Sequence, residues 1–299
     1  MQSKAPHSSF LYAALIFLAG TSYGFAIPIV RTADAFGIDA SSIVPLQYWT
    51  AFIVFGIVFL VKRPKLPGRK TVAKYLLLGA SMSMCSFNYY MSTLLLHGAI
   101  SVVFMFQFVW MVIVMECIYA RKLPDVRTVI AVVIVLVGTV LAAEVLETGS
   151  GPLDPLGVFL GILSGFFYAV FLFASGKMSN EVTTPARMVC ILPGGIITSS
   201  IVLPDCYVQV VANPMVIPVG IALGCMIVLI PLALISYSTP KLSAATSTIM
   251  ASSELPMGVL FTWAIIGEGP TALGLLGVVL VLLGIVISQI PIGRLKKTG

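Results

Sequence analysis

Runs of about twenty apolar residues recur along the whole chain, near 10–30, 43–61, 73–95, 99–120 and 127–143, then 155–174, 187–203, 216–237, 244–266 and 270–290. A helix of that length is about 30 Å long, the thickness of a bilayer's hydrocarbon core. In lipid, backbone N–H and C=O groups must be satisfied inside the spanning segment, which leaves helices as the solution for runs of this length. The expected fold is therefore an all-α integral membrane protein with ten transmembrane helices. Composition agrees: 9% of residues are charged, against about 25% in soluble domains, too few to cover a water-facing surface. The connections leave no room for a soluble domain. The first run lacks an A-x-A cleavage site and reads as a first span rather than a signal peptide.

The net charge of +6 sits in short clusters between the runs, which points to membrane orientation and not to nucleic acid. With the N-terminus in the cytoplasm, sixteen of the seventeen Lys and Arg residues fall on the inner side, and Arg31 alone falls outside. Asp34, Asp39, Glu144, Glu147, Asp154 and Asp205 fall on the outer side. Both termini are expected to be cytoplasmic, in a multi-pass protein of the cell membrane.

The two halves resemble each other. AGTSYGF (Ala19–Phe25) in the first span matches SGFFYAV (Ser164–Val170) in the sixth, pairing Gly20 with Gly165 and Tyr23 with Tyr168. Val129–Leu141 echoes Leu273–Ile287, pairing Gly138 with Gly284. A first repeat over 1–148 and a second over 149–299 hold five spans each. An odd number inserts the second copy upside down, giving two inverted five-helix repeats, a recurrent transporter design with its substrate site where the halves meet.

The stretch Lys241–Gly269 carries Glu254 near its middle and Pro256 two residues later. A mid-membrane charge is costly and usually faces a cavity or a partner, and the proline removes a backbone donor at the same depth. The run SELPMGVLFTWAIIGE (Ser253–Glu268), the Tyr23-Gly24 and Tyr168-Ala169 positions and the ten-span duplication together resemble the drug/metabolite transporter superfamily in its two-repeat EamA branch. Glu254, Pro256, Gly267 and Glu268 fill the family pattern, with Leu255 intervening where many members have Glu and Pro adjacent. In the first half the equivalent hairpin is Ala120-Arg121-Lys122, so that copy is degenerate. The resemblance implies a secondary transporter working by alternating access around a cavity lined by spans 1, 3, 4, 6, 8 and 9, with spans 5 and 10 peripheral. It implies export of amino acids or related metabolites, or, in some relatives, movement of organic cations such as choline.

Candidate substrate-binding or coupling residues follow from polar and aromatic groups within the spans. Glu254 shares a helical face with Ser247, Met250 and Met257, and reads either as a proton- or substrate-binding carboxylate or as a carboxyl held by Ser252 and Ser253. In span 3, Ser81, Cys85, Asn88 and Ser92 share a face; Asn88 could meet substrate or glue helices together. Only one of Tyr89 and Tyr90 is expected to face the cavity, and Tyr90 is taken as that residue. Span 4 offers Gln107, Phe108 and Trp110, an aromatic wall suited to an apolar or cationic ligand. The repeat alignment places Gln107 opposite Glu254. Glu116 is expected to form an interfacial ion pair in the Arg121/Lys122 region. Gly157, Gly161 and Gly165 form a small-residue ridge for helix packing.

With Lys and Arg only at span edges, anionic substrates such as phosphorylated sugars are disfavoured. Small neutral, zwitterionic or cationic molecules remain, with proton coupling open. No cofactor or metal is expected, since no CxxC or ligand-like Cys/His spacing occurs. An enzyme is not expected either: the two histidines are His7 and His97, and no HExxH, GxSxG or paired-Asp motif appears. The leading expectation is an exporter of amino acids or related metabolites; the alternative is a carrier of organic cations.

Overall fold

The computed structural model describes residues 6–38, 43–96, 98–144, 153–178, 181–267 and 269–289. Lys4, Asp39, His97, Glu147, Glu268 and the C-terminal cations Arg294, Lys296 and Lys297 lie outside the described residues, as do both termini. Every regular element among the described residues is helical. In order they are α1 (Pro6–Gly24), α2 (Ala26–Ala35), α3 (Val44–Lys62), α4 (Arg69–Leu95), α5 (Gly98–Met105), α6 (Phe108–Ala120), α7 (Val126–Ala142) and α8 (Pro155–Gly176). Then come α9 (Thr184–Val202), α10 (Cys206–Ala212), α11 (Val216–Leu223), a π-helical turn (Gly224–Leu229), α12 (Ile230–Ser238), a 3-10 turn (Thr239–Lys241), α13 (Ala244–Ala251), α14 (Glu254–Ile266) and α15 (Ala272–Gln289).

Eight helical stretches are long and apolar enough to cross a membrane: Ser9–Ala33, Val44–Lys62, Ala99–Ala120, Pro155–Gly176, Thr184–Val202, Val216–Lys241, Ala244–Ile266 and Ala272–Gln289. The shorter apolar helix Val126–Ala142 and the more polar α4 complete the bundle. This is the build of a multi-pass helical membrane protein. The short α10, between α9 and α11, was not expected from the sequence; seven residues are too few for a span signal.

Four stretches depart from regular α-helix part-way along. The α1–α2 stretch breaks at Phe25, α5–α6 at Phe106-Gln107, and α13–α14 at Ser252-Ser253, while the Val216–Lys241 stretch carries the π-helical turn. Three of these have a local cause in proline, which cannot donate to the residue four before it. Pro28, Pro231 and Pro256 fall four residues after Gly24, Ile227 and Ser252, each at or beside its irregularity. In the α5–α6 break a side chain does the work instead. The Gln107 amide N–H turns to Phe104 O, and the Gln107 side chain donates to Val103 O at 3.0 Å, satisfying the carbonyl that the break releases.

The α5–α6 and α13–α14 stretches are built alike. Each has an 8-residue helix, a two-residue break, a 13-residue helix and a left-handed C-cap, Arg121 in one (φ 52°) and Gly267 in the other (φ 87°). Glycine takes that conformation freely, whereas arginine does so against its Cβ.

Small residues set the helix crossings. A Cβ on Gly20 of α1 would lie 2.7 Å from Ala251 O at the α13–α14 break, and one on Gly165 of α8 would lie 2.5 Å from Met105 O at the α5–α6 break. Gly138 of α7 and Gly284 of α15 both sit in the contact between those two helices, against Gly277 O and Val135 respectively. Gly157 and Gly161 pack on Leu96 and Phe104, so the α8 ridge is a packing surface.

Candidate functional site

The irregularities in α1–α2, α5–α6, α13–α14 and Val216–Lys241 gather around one inner chamber of about 100 Å³. Non-helical backbone at such depth is tolerated where it is buried in protein or lines a cavity. Glu254, the first residue of α14, is on the chamber wall, in the first turn of its helix, where the helix dipole favours a negative charge. Tyr23 comes from α1, Tyr89 and Tyr90 from α4, Phe106 from the α5–α6 break, and Tyr168 from α8. Tyr23, Tyr89, Tyr168 and the Cys85 thiol are all close enough to Glu254 to interact with it electrostatically.

Glu254 has no hydrogen bond or ion pair with any described residue. The two serines offered by the sequence as its partners are engaged elsewhere: Ser252 Oγ donates to Thr248 O at 3.2 Å, and Ser253 Oγ to Phe17 O at 2.9 Å. Tyr23 and Tyr168 meet edge to face, with ring centroids 6.2 Å apart and planes at 84°. Their hydroxyls are buried and neither makes a well-formed hydrogen bond to a described residue. Unsatisfied buried hydroxyls beside an unpaired carboxylate leave donors and acceptors for a ligand.

Beyond the chamber, and sharing Ala26, Ile27, Tyr89, Tyr90, Val102 and Leu255 with it, lies a wider vestibule of about 540 Å³. Its far rim holds Arg31, Thr93, Glu144 and Thr262. Glu144 accepts a 2.7 Å hydrogen bond from Thr271 N, fixing the end of α7 to the start of α15.

The sequence-derived residues divide into those on the wall and those behind or away from it. Tyr23, Tyr90, Tyr168 and Glu254 line the chamber. Phe108 is fully buried behind it, its ring tilted against Tyr168 at 4.6 Å and edge-on to Phe106 at 5.3 Å. Ser247 and Met250 do not line either cavity; the break at Ser252-Ser253 interrupts the helical face they would share with Glu254, and Ser247 Oγ donates to Ser243 O. Asn88 is buried outside both cavities, its Nδ2 donating to Met84 O at 2.7 Å. Its neighbours on that face are glue to α8: Ser81 Oγ bonds Phe167 O, Ser92 Oγ bonds Gly157 O, and Cys85 meets Ser164. Gln107 and Trp110 also miss the chamber; they bond each other at 2.8 Å, with Trp110 41% exposed on the bundle's perimeter.

Three other expectations are corrected. Tyr89 and Tyr90 both line the chamber, because it wraps around a broad arc of α4. The matched construction of the two broken stretches sets Phe108, not Gln107, opposite Glu254. Glu116 pairs with Lys177 at 3.5 Å, not with the Arg121/Lys122 region. Arg187, near the start of α9 and so at a span edge as expected, is nevertheless buried (3% exposed) and donates to Ser236 O and Val182 O. It stands away from both cavities. Phe106, Met82 and Met105 were missed; Val102, Met105 and Phe106 do follow helical spacing, but so do many packing residues.

These features define a multi-pass helical membrane protein with a buried, largely apolar chamber that carries one carboxylate and adjoins a vestibule. No protein-family model and no curated protein matches the chain. A solved structure, described only as a crystal structure of protein, superposes over 93% of this chain and 96% of its own with a TM-score of 0.74 at 13% identity. At that identity the likeness is one of fold.

Proposed function

We propose that this protein is a secondary transporter of small neutral or zwitterionic metabolites, an amino-acid or metabolite exporter of the drug/metabolite transporter type, working by alternating access. The observation that carries this reading is Glu254: a carboxylate with no hydrogen bond or ion pair to a described residue, at a helix break, in a chamber that continues into the vestibule. Discontinuous helices around a central site are a recurrent transporter construction.

The reading includes ten spans in two inverted repeats. Supporting it, each boundary of α13–α14 falls 146 positions after its α5–α6 counterpart: Gly98 to Ala244, Phe108 to Glu254, Arg121 to Gly267. Gly20 and Gly165, paired by sequence, each pack on the break of a stretch from the other half, and Tyr23 meets Tyr168 between the halves. All described Lys and Arg residues except Arg31 belong to the end opposite the vestibule, or to the connections there. By the positive-inside tendency that end is cytoplasmic, both termini included, in a cell membrane, and the vestibule opens outward.

A second reading has its own support. Glu254 is surrounded by Tyr23, Tyr89, Tyr90, Phe106 and Tyr168, and no Lys or Arg lines the inner chamber. A carboxylate among aromatic faces suits an organic cation. Radiotracer flux in proteoliposomes separates the two. Amino-acid flux supports the first; choline flux without amino-acid flux overturns it in favour of the second; folded protein that moves no member of either class overturns both.

A further inference from the structure

At the end of the bundle opposite the vestibule, contacts from several elements converge on the N-terminus of α13. Ala244 N donates to Glu116 Oε2 of α6 at 3.1 Å, while Glu116 Oε1 is 3.5 Å from the Lys177 ammonium that follows α8. Lys177 lies over the rings of Tyr119 (4.3 Å) and Phe173 (5.2 Å). On the other flank Lys241, just before α13, sits over Tyr237 of the α12 end (3.3 Å) and Tyr12 of α1 (4.3 Å). Ser243 caps the same helix through Thr246 N at 3.0 Å. Elements that line the chamber higher up (α1, α8, and the stretches containing α6, α12 and α13) thus converge on one turn of chain.

We propose that Glu116 and Lys177 form the inner gate of this protein, latching the α13 N-terminus so that the chamber opens only through the vestibule. This rests on the transport reading for its purpose, though not for its geometry. Glu116 bridges two partners from different elements, so separating α13 from α6 breaks the amide contact, and separating α8 from α6 breaks the ion pair. Both groups are part-exposed, and part-exposed ion pairs and cation–π contacts are individually weak. Weak, water-accessible latches suit a gate that has to reopen, because two alternating states must stay close in free energy.

The test uses the full chain with its five native cysteines replaced and Ser86→Cys placed on the chamber wall. A charged, membrane-impermeant thiol reagent is applied to oriented vesicles exposing one end of the bundle or the other. With the gate intact, labelling comes from the vestibule end. Glu116→Gln and Lys177→Met are each expected to raise labelling from the gate end by roughly fivefold, the size of a weak ion pair's contribution. Lys177→Arg, which keeps the charge, should not. Unchanged labelling from both ends in folded Glu116→Gln and Lys177→Met protein overturns the gate. A rise in Lys177→Met alone overturns the part given to Glu116. Should either variant not fold, Glu116→Asp is expected to give a smaller rise, and its absence counts equally against the proposal. Labelling requires no substrate: a shift without solute flux would leave the latch standing and remove the transport reading, and flux without a shift would do the reverse.

Discussion

Phe108 and Glu254 are the same position in two stretches of the same construction, each the first residue of a 13-residue helix that follows an 8-residue helix and a two-residue break. Phe108 is fully buried with its ring tilted against Tyr168 at 4.6 Å; Glu254 stands on the chamber wall. The two stretches share one construction, and the charge belongs to one of them. Function is therefore expected to be asymmetric: the aromatic side braces the chamber, and the carboxylate side meets the ligand.

The buried hydroxyls of Tyr23 and Tyr168 contribute little to holding the fold, since neither makes a well-formed hydrogen bond. Tyr23→Phe and Tyr168→Phe should leave the unfolding temperature unchanged or raise it, corresponding to a gain of up to ~1 kcal/mol from removing an unsatisfied group. If the hydroxyls serve a ligand, KM for the transported solute rises about tenfold in the same variants, the loss of one or two hydrogen bonds. Thermal unfolding in detergent and concentration-dependent flux check the two halves of this statement.

Glycine matters where backbones cross. A Cβ on Gly194 would lie 2.7 Å from the carbonyl carbon of Leu76, whereas one on Gly56 meets nothing within 4 Å. Gly194→Ala should destabilise the protein by roughly 1–3 kcal/mol through overpacking. Gly56→Ala, in the middle of α3, should be neutral or stabilise by up to about 1 kcal/mol through helix propensity. Unfolding midpoints of the two variants give the comparison directly.

The two left-handed helix ends make a matched pair of opposite sign. Arg121 holds φ 52° against its Cβ, and Gly267 holds φ 87° without one. Arg121→Gly should stabilise by about 1 kcal/mol and Gly267→Ala should cost about the same. Equal shifts of both variants in one direction would contradict the geometry.

The fold was legible in this sequence to the extent that lipid dictates it. Apolar length located the helical stretches, and Pro256 marked the depth of one irregularity, whereas α9 runs unbroken through Pro193. The chamber was legible only in part, because a broken helix does not keep its face. Ser247 and Met250 share a wheel position with Glu254 in an unbroken helix, and the break at Ser252-Ser253 removes them from the wall. Gln107 is polar and deep, the signature of a site residue, yet it is consumed by Val103 O and Trp110. Glu116 could be read as an ion-pair former, but its partner Lys177 comes from another helix, beyond the reach of periodicity.

Orientation has a separate test. Arg31→Cys, on the vestibule rim, should react with an impermeant thiol reagent on intact cells. Lys65→Cys, in the exposed connection between α3 and α4, should react only after permeabilisation. The opposite pattern would invert the proposed direction of the vestibule.

The most direct test of the account is solute flux in proteoliposomes with wild type, Glu254→Gln and Ser247→Ala, run against amino acids and choline with and without a pH gradient. Glu254→Gln should fold normally and lose at least about tenfold in flux, the scale of one charge-assisted contact. Ser247→Ala, whose hydroxyl is bonded within its own helix, should transport like wild type. Normal flux in Glu254→Gln, with the same solute preference and the same response to pH, would make the carboxylate structural and contradict the central claim.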